Sequence, residues 1–92
     1  MIKDIAADVA ELVEKKNKDY GSSFDTTVKK YGMTAYCLRI EDKISRLNSL
    51  TSNNKQCVHD ESIEDTLKDI CGYTLLMLNL LSRGGIPFNE DV

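Results

Sequence analysis

A chain of 92 residues with a formal net charge of −3 has room for one domain, spanning 1–92, and none for a second core. Charged residues make up 29% of it, Pro occurs once and Trp not at all, which suits a helical protein better than a β-sandwich. The acidic balance argues against general nucleic-acid binding, which needs a basic surface, but leaves room for a local basic pocket around one small phosphorylated ligand.

The first predicted helix carries Ile2, Ile5, Ala6, Val9, Leu12 and Val13, the i, i+3, i+4, i+7 spacing of one buried face. Its charges turn basic at Lys15 and Lys16, which suits the negative end of the helix dipole. A polar connection follows from Asn17 to Ser23, and Ser22 or Ser23 is expected to cap a short second helix running to about Tyr31. Gly32 ends that helix and Thr34 caps a third, which runs to about Leu50 with Cys37, Ile40, Ile44 and Leu47 as its core face. Thr51 to Gln56 reads as a loop. The fourth helix opens near Asp60 and closes at Gly84-Gly85, with Pro87 beyond, and its expected core face is Ile63, Leu67, Ile70, Thr74, Met77 and Leu81. The predicted fold is therefore all-α, a compact bundle of about four helices, three long and one short.

Leu76 and Leu80 lie off that core face and continue the line of Glu61, Asp65 and Asp69. A Leu-rich stripe of this kind predicts contact with another chain, hence a homo-oligomer built on the C-terminal helix.

No apolar run approaches a membrane span, and apolar positions near the N-terminus alternate with Asp4, Asp8 and Glu11, so neither a membrane anchor nor a signal peptide is expected. Cys37, Cys57 and Cys71 cannot all pair within one chain, and a reducing cytoplasm with free thiols is the simpler expectation. Cys37 and Cys71 fall on apolar helix faces, where Cys acts as a small hydrophobe. Zinc is not expected, because there is no Cys-x-x-Cys pair and the lone His59 has only Cys57 nearby.

Two charged rows stand out. Glu61, Asp65 and Asp69 fall at i, i+4 and i+8, a spacing at which like charges repel and weaken a helix. Arg39, Lys43 and Arg46 form a basic row on the preceding helix. The acids either bind Mg²⁺ or form a solvated face salt-bridged to Lys68, Arg46 or Lys43. The basic row either grips phosphate oxygens or pairs with those acids. Lys18, Tyr20 and Phe24 add a cation and two rings able to stack on a base, unless the rings are simply tucked into the core. Nucleophilic catalysis has little support, since no Ser or Cys has a base at a predictable spacing.

The order of motifs resembles a known family. Lys16-Asn17-Lys18-Asp19-Tyr20-Gly21 comes first, then Arg39 with Asp42-Lys43 and Arg46-Leu47, then Asp60-Glu61-Ser62 and Asp65-Thr66-Leu67-Lys68-Asp69 with Tyr73. Over about residues 12–80 this resembles the phage and bacterial nucleotide-modification-associated domain family, which is small and α-helical. That family is in turn distantly similar to MazG-like all-α nucleotide pyrophosphohydrolases, which hold Mg²⁺ on acidic residues of two helices. In the later Glu-x-x-Asp motif of those enzymes, Asp69 matches the Asp while Thr66 stands for the Glu. Where the first motif would fall, Lys43 and Arg46 replace a carboxylate pair.

The resemblance implies a nucleotide ligand, and the missing acids favour holding phosphates over cleaving them. The expectation is a non-catalytic, oligomeric nucleotide-binding protein, phage-encoded, that sequesters a nucleotide immune signal in the cytoplasm of an infected bacterium without a cofactor. Lys18, Arg39, Lys43 and Arg46 would hold phosphates, and Tyr20 would stack on the base. Glu61, Asp65 and Asp69 would bond ribose hydroxyls or orient the basic row. The alternative is a Mg²⁺-dependent nucleoside triphosphate pyrophosphohydrolase with Glu61, Asp65 and Asp69 as metal ligands, completed by Glu41 or Asp42. A further alternative is a protein–protein module acting through Leu76, Leu80 and the C-terminal tail.

Overall fold

Four segments with helical apolar spacing form four α-helices: α1 (Ile2–Asp19), α2 (Ser23–Tyr31), α3 (Met33–Ser52) and α4 (Asp60–Ser82). A computed structural model describes residues 1–19, 22–52 and 60–84, without the side chains of Asp60 and Glu61. No strand occurs among the described residues, so the fold is all-α. The expected roles of Tyr20, Cys57, His59 and the Glu61 side chain, and the stop at Gly85 and Pro87, lie outside the described residues.

The helix ends follow local chemistry, with some departures from expectation. The first helix runs through Asn17 to Asp19, and the Ser22 N–H reaches back to the Asn17 carbonyl at 3.0 Å. Ser22 stands at the N-cap position of α2 in a left-handed conformation (φ 60°, ψ 37°); its carbonyl accepts from the Thr26 N–H at 3.2 Å, but its hydroxyl makes no capping bond. Gly32 terminates α2 at φ 76° and ψ −163°, a region that a side chain makes costly. Since α3 starts at Met33, Thr34 lies inside it and is not its cap. Thr51 and Ser52 prolong α3, with their hydroxyls bonded to the carbonyls of Leu47 and Asn48.

With nine residues, α2 is too short to hold by itself and depends on packing. Its Phe24 and Val28 join Ala35 of α3 and Met77 and Leu80 of α4 in the buried core, with Tyr36, Tyr73 and Leu76 packed against it. A charged clamp closes the same end of the bundle. Arg83 donates to Asp25 Oδ2 at 2.6 Å, while the buried Asp25 Oδ1 has no partner among the described residues.

α4 is the hub: α3 packs along it most extensively, and α1 and α2 also lie against it. Leu80 is 1% exposed and Leu76 packs on the core, so the expected Leu76–Leu80 contact with another chain is spent inside the subunit. The apolar side chains left outside on α4 are instead Leu67 and Leu78. Cys37 and Cys71 are exposed free thiols and not the buried hydrophobes expected of them. No described helix is long and apolar enough to cross a membrane.

Candidate functional site

The α3–α4 seam is polar along its length because the basic row of α3 turns toward α4. Lys43 Nζ sits 3.2 Å from Asp69 Oδ2, the one carboxylate the row meets among the described residues. Arg46 Nε instead donates to the Thr66 hydroxyl at 3.3 Å, and Arg39 donates to the Tyr73 hydroxyl at the same distance. Below them, the Tyr36 and Thr74 hydroxyls share a 2.7 Å hydrogen bond. The two charged rows therefore interlock only in part. Thr66, 1% exposed, accepts the Arg46 hydrogen bond and donates one of its own to the Ser62 carbonyl at 2.8 Å.

A cleft of about 310 Å³ opens where α1 and the start of α2 lean over this seam. That volume is at the small end of the range for small-molecule sites. Its polar wall carries Lys16 and Asn17 of α1, Ser23 of α2, Arg39 of α3, and Lys68 and Asp69 of α4. Phe24, Tyr73 and Leu76 form part of its apolar floor. The Arg39 guanidinium leans over the Tyr73 ring with its carbon 5.5 Å from the centroid, and Phe24 lies on Tyr73 with ring centroids 5.7 Å apart. The stacked trio fixes Arg39 at the mouth of the cleft.

Gly72 allows α1 to come this close. A Cβ there would meet Val13 Cγ2 at 2.8 Å, nearer than real contacts allow. The absent side chain lets α1 seat on α4 and brings Lys16 and Asn17 to the wall.

Of the candidate residues, Arg39 and Asp69 line the cleft, and Lys43 borders it through its bond to Asp69. Lys18, Arg46 and Asp65 are exposed and do not line it. Lys16, Asn17, Ser23, Lys68, Gly72 and Tyr73 are cleft residues that the sequence reading did not assign to the site. A signal for Lys16 existed, since it follows Leu12 by four and Val9 by seven and so continues the apolar face of α1.

The electrostatics of the wall are uneven. Lys68 is held by Glu64 at 3.2 Å and Asp69 by Lys43, but neither Lys16 nor Arg39 has a carboxylate partner among the described residues. The cleft thus presents two uncompensated cations, a match for an anion next to an aromatic ring.

A magnesium clamp needs several oxygen ligands converging on one point. Among the described residues no group of three His, Cys, Asp or Glu side chains approaches that arrangement, and Asp69 is committed to Lys43. The described part of the expected metal set, Asp65 and Asp69, does not form one.

Residues 16–81, which include most of the cleft wall, match the family described as nucleotide modification associated domain 1. The chain belongs to that family. No curated protein and no solved structure matches the chain. Among the described residues lining the cleft, Leu12 and Val13 fall outside the span matched by nucleotide modification associated domain 1.

Proposed function

We propose that the protein binds a nucleotide without cleaving it, with the cleft between α1, α3 and α4 as its site. One observation carries this reading. Lys16 and Arg39, both without a carboxylate partner among the described residues, line a cleft whose floor holds the Tyr73 ring. Phosphate oxygens take the two cations, with Arg39 offering a bidentate fork and Lys16 a point charge. The base lies against the aromatic side of the cleft. Asn17 and Ser23 supply neutral hydrogen-bonding groups for the sugar or the base edge. Membership of a family described by nucleotide modification agrees with a nucleotide ligand.

The pyrophosphohydrolase alternative is less well supported. Its chemistry asks for a cluster of free carboxylates, whereas Asp69 is engaged by Lys43 and Thr66 is a buried hydroxyl where the enzymes carry Glu. Holding a nucleotide intact is the property a sequestering protein needs, so the proposed biological use is removal of a nucleotide immune signal by a phage in its bacterial host. The protein–protein module is less well supported at Leu76 and Leu80, because Leu80 is buried and Leu76 packs on the core, while its C-terminal tail lies outside the described residues.

The test is incubation with a panel of linear and cyclic nucleotides and Mg²⁺, followed by mass spectrometry before and after heat denaturation. The expected result is depletion of one class of nucleotide from solution and its intact return on heating. Release of a monophosphate and pyrophosphate would replace this reading with the enzyme. Arg39→Ala should weaken binding roughly 10- to 100-fold, the usual loss for a hydrogen bond to a charged group. A circular dichroism spectrum is the control that this variant keeps its fold, which is needed because Arg39 also supports Tyr73.

A further inference from the structure

Asp25 and Arg83 lie outside the cleft lining, yet their ion pair differs from the others on the molecule. Lys68 and Glu64 are partly exposed side chains one turn apart on α4, and a pair of that kind adds little. Asp25 has only 12% of its side chain exposed, and its partner comes from 58 residues away in sequence. The pair therefore fastens the start of α2 to the end of α4. With nine residues and no side-chain cap at Ser22, α2 takes its place from such contacts.

The fastening reaches the cleft by two routes. Ser22 joins α1 to α2, since its N–H donates to the Asn17 carbonyl at 3.0 Å and its carbonyl accepts from the Thr26 N–H at 3.2 Å. It does so at φ 60°, a conformation that a non-glycine residue keeps only when its surroundings impose it. Lys16 and Asn17 on one side of this joint, and Ser23 and Phe24 on the other, all line the cleft. The second route runs through Phe24, which lies 5.7 Å from Tyr73 between ring centroids, while Tyr73 carries the Arg39 guanidinium at 5.5 Å.

We propose that the Asp25–Arg83 pair holds this corner over the cleft, which makes Arg83 a positioning residue for the nucleotide. The proposal rests on the cleft being the nucleotide site and adds what sets its affinity. Without Arg83, neither oxygen of the buried Asp25 carboxylate has a partner among the described residues. An ionised group cannot stay dry and unpaired, so α2 must shift to bring it to water. Lys16 then loses its register with Arg39 across the cleft.

The test begins without a ligand. In Arg83→Gln, hydrogen exchange read by mass spectrometry should quicken roughly tenfold along α2, while α3 keeps the protection it has in the unmodified chain. Unchanged exchange in α2 would overturn the proposal, since the pair would then fasten nothing. Affinity is next measured for the member of the linear and cyclic nucleotide panel that the chain depletes most, across a double-mutant cycle with Lys16→Ala. Arg83→Gln should weaken binding roughly tenfold in the unmodified chain and less than about threefold beside Lys16→Ala, because Arg83 acts through the cation already removed. Equal losses in both backgrounds would overturn the positioning role. Arg83→Lys, which keeps a charge beside Asp25, should recover most of the affinity. If Arg83→Gln fails to fold, the unmodified chain decides. Coupling between sites is reciprocal, so the saturating nucleotide should slow exchange at Lys29, Lys30 and Tyr31, at the end of α2 away from the cleft residues. No slowing there would overturn the proposal. If the unmodified chain binds no nucleotide, the site reading falls, and α2 exchange in Arg83→Gln still decides whether the pair holds the corner.

Discussion

At the scale of single residues, the cleft depends on what is absent from Gly72. Alanine there gains about 1 kcal/mol of helix propensity but drives its methyl into Val13, an overpacking that costs about 1–3 kcal/mol. Gly72→Ala is expected to lower the melting temperature slightly and the nucleotide affinity clearly, because α1 carries Lys16 and Asn17 and must shift to make room. Val13→Ala in the same chain should restore affinity, since it empties the contested space. A Gly72→Ala protein that melts higher and binds unchanged would show that the close approach constrains nothing. Residue-level reading of the sequence was uneven for a physical reason. Arg39 and Asp69 were visible as members of charged rows. Lys16 was hidden because a basic residue near a helix C-terminus already has a sufficient explanation in the dipole. Tyr73 looked like an ordinary core or interface ring until Arg39 was found resting on it.

At the scale of elements, the four helices and the breaks between them were legible because Gly32 and the spacing of apolar residues are local signals. Which face of α4 is buried was not. That helix carries aliphatic residues on several sides, so Leu76 and Leu80 compete with Leu67 and Ile63 on equal terms. The contest is decided by α2, whose Phe24 and Val28 occupy the side of Met77 and Leu80 and leave Leu67 outside. Ser22 takes the N-cap position of α2 as expected, but its left-handed backbone leaves its hydroxyl without a capping bond, a detail that only the geometry of the connection reveals. The α2–α3 connection offers a direct check. Gly32 sits at φ 76° and ψ −163°, and a side chain in that region costs about 1–3 kcal/mol. Gly32→Ala should therefore lower the melting temperature by roughly 5–15 °C in a domain of this size, measured by thermal circular dichroism. A change within a degree or two would mean the connection relaxes freely.

At the scale of the whole molecule, the acidic composition set an expectation against general nucleic-acid binding, but it could not foretell the local balance of the cleft. Glu64 and Lys43 each neutralise a neighbour, leaving Lys16 and Arg39 as the surplus.

The position of α4 as hub also sets an order of events during synthesis. α1 emerges from the ribosome first, yet the partner it packs on most, α4, is the last of the four helices to be made. Gly72 follows Val13 by 59 residues, a delay of several seconds at elongation rates of about 5–20 residues per second. Through that interval the apolar stripe of Val9 and Val13 has no cover from its native partner, and the early chain is a client for chaperones and proteases. A ribosome stalled before α4 should thus display α1 as a protease-sensitive segment, and one stalled well after it should not.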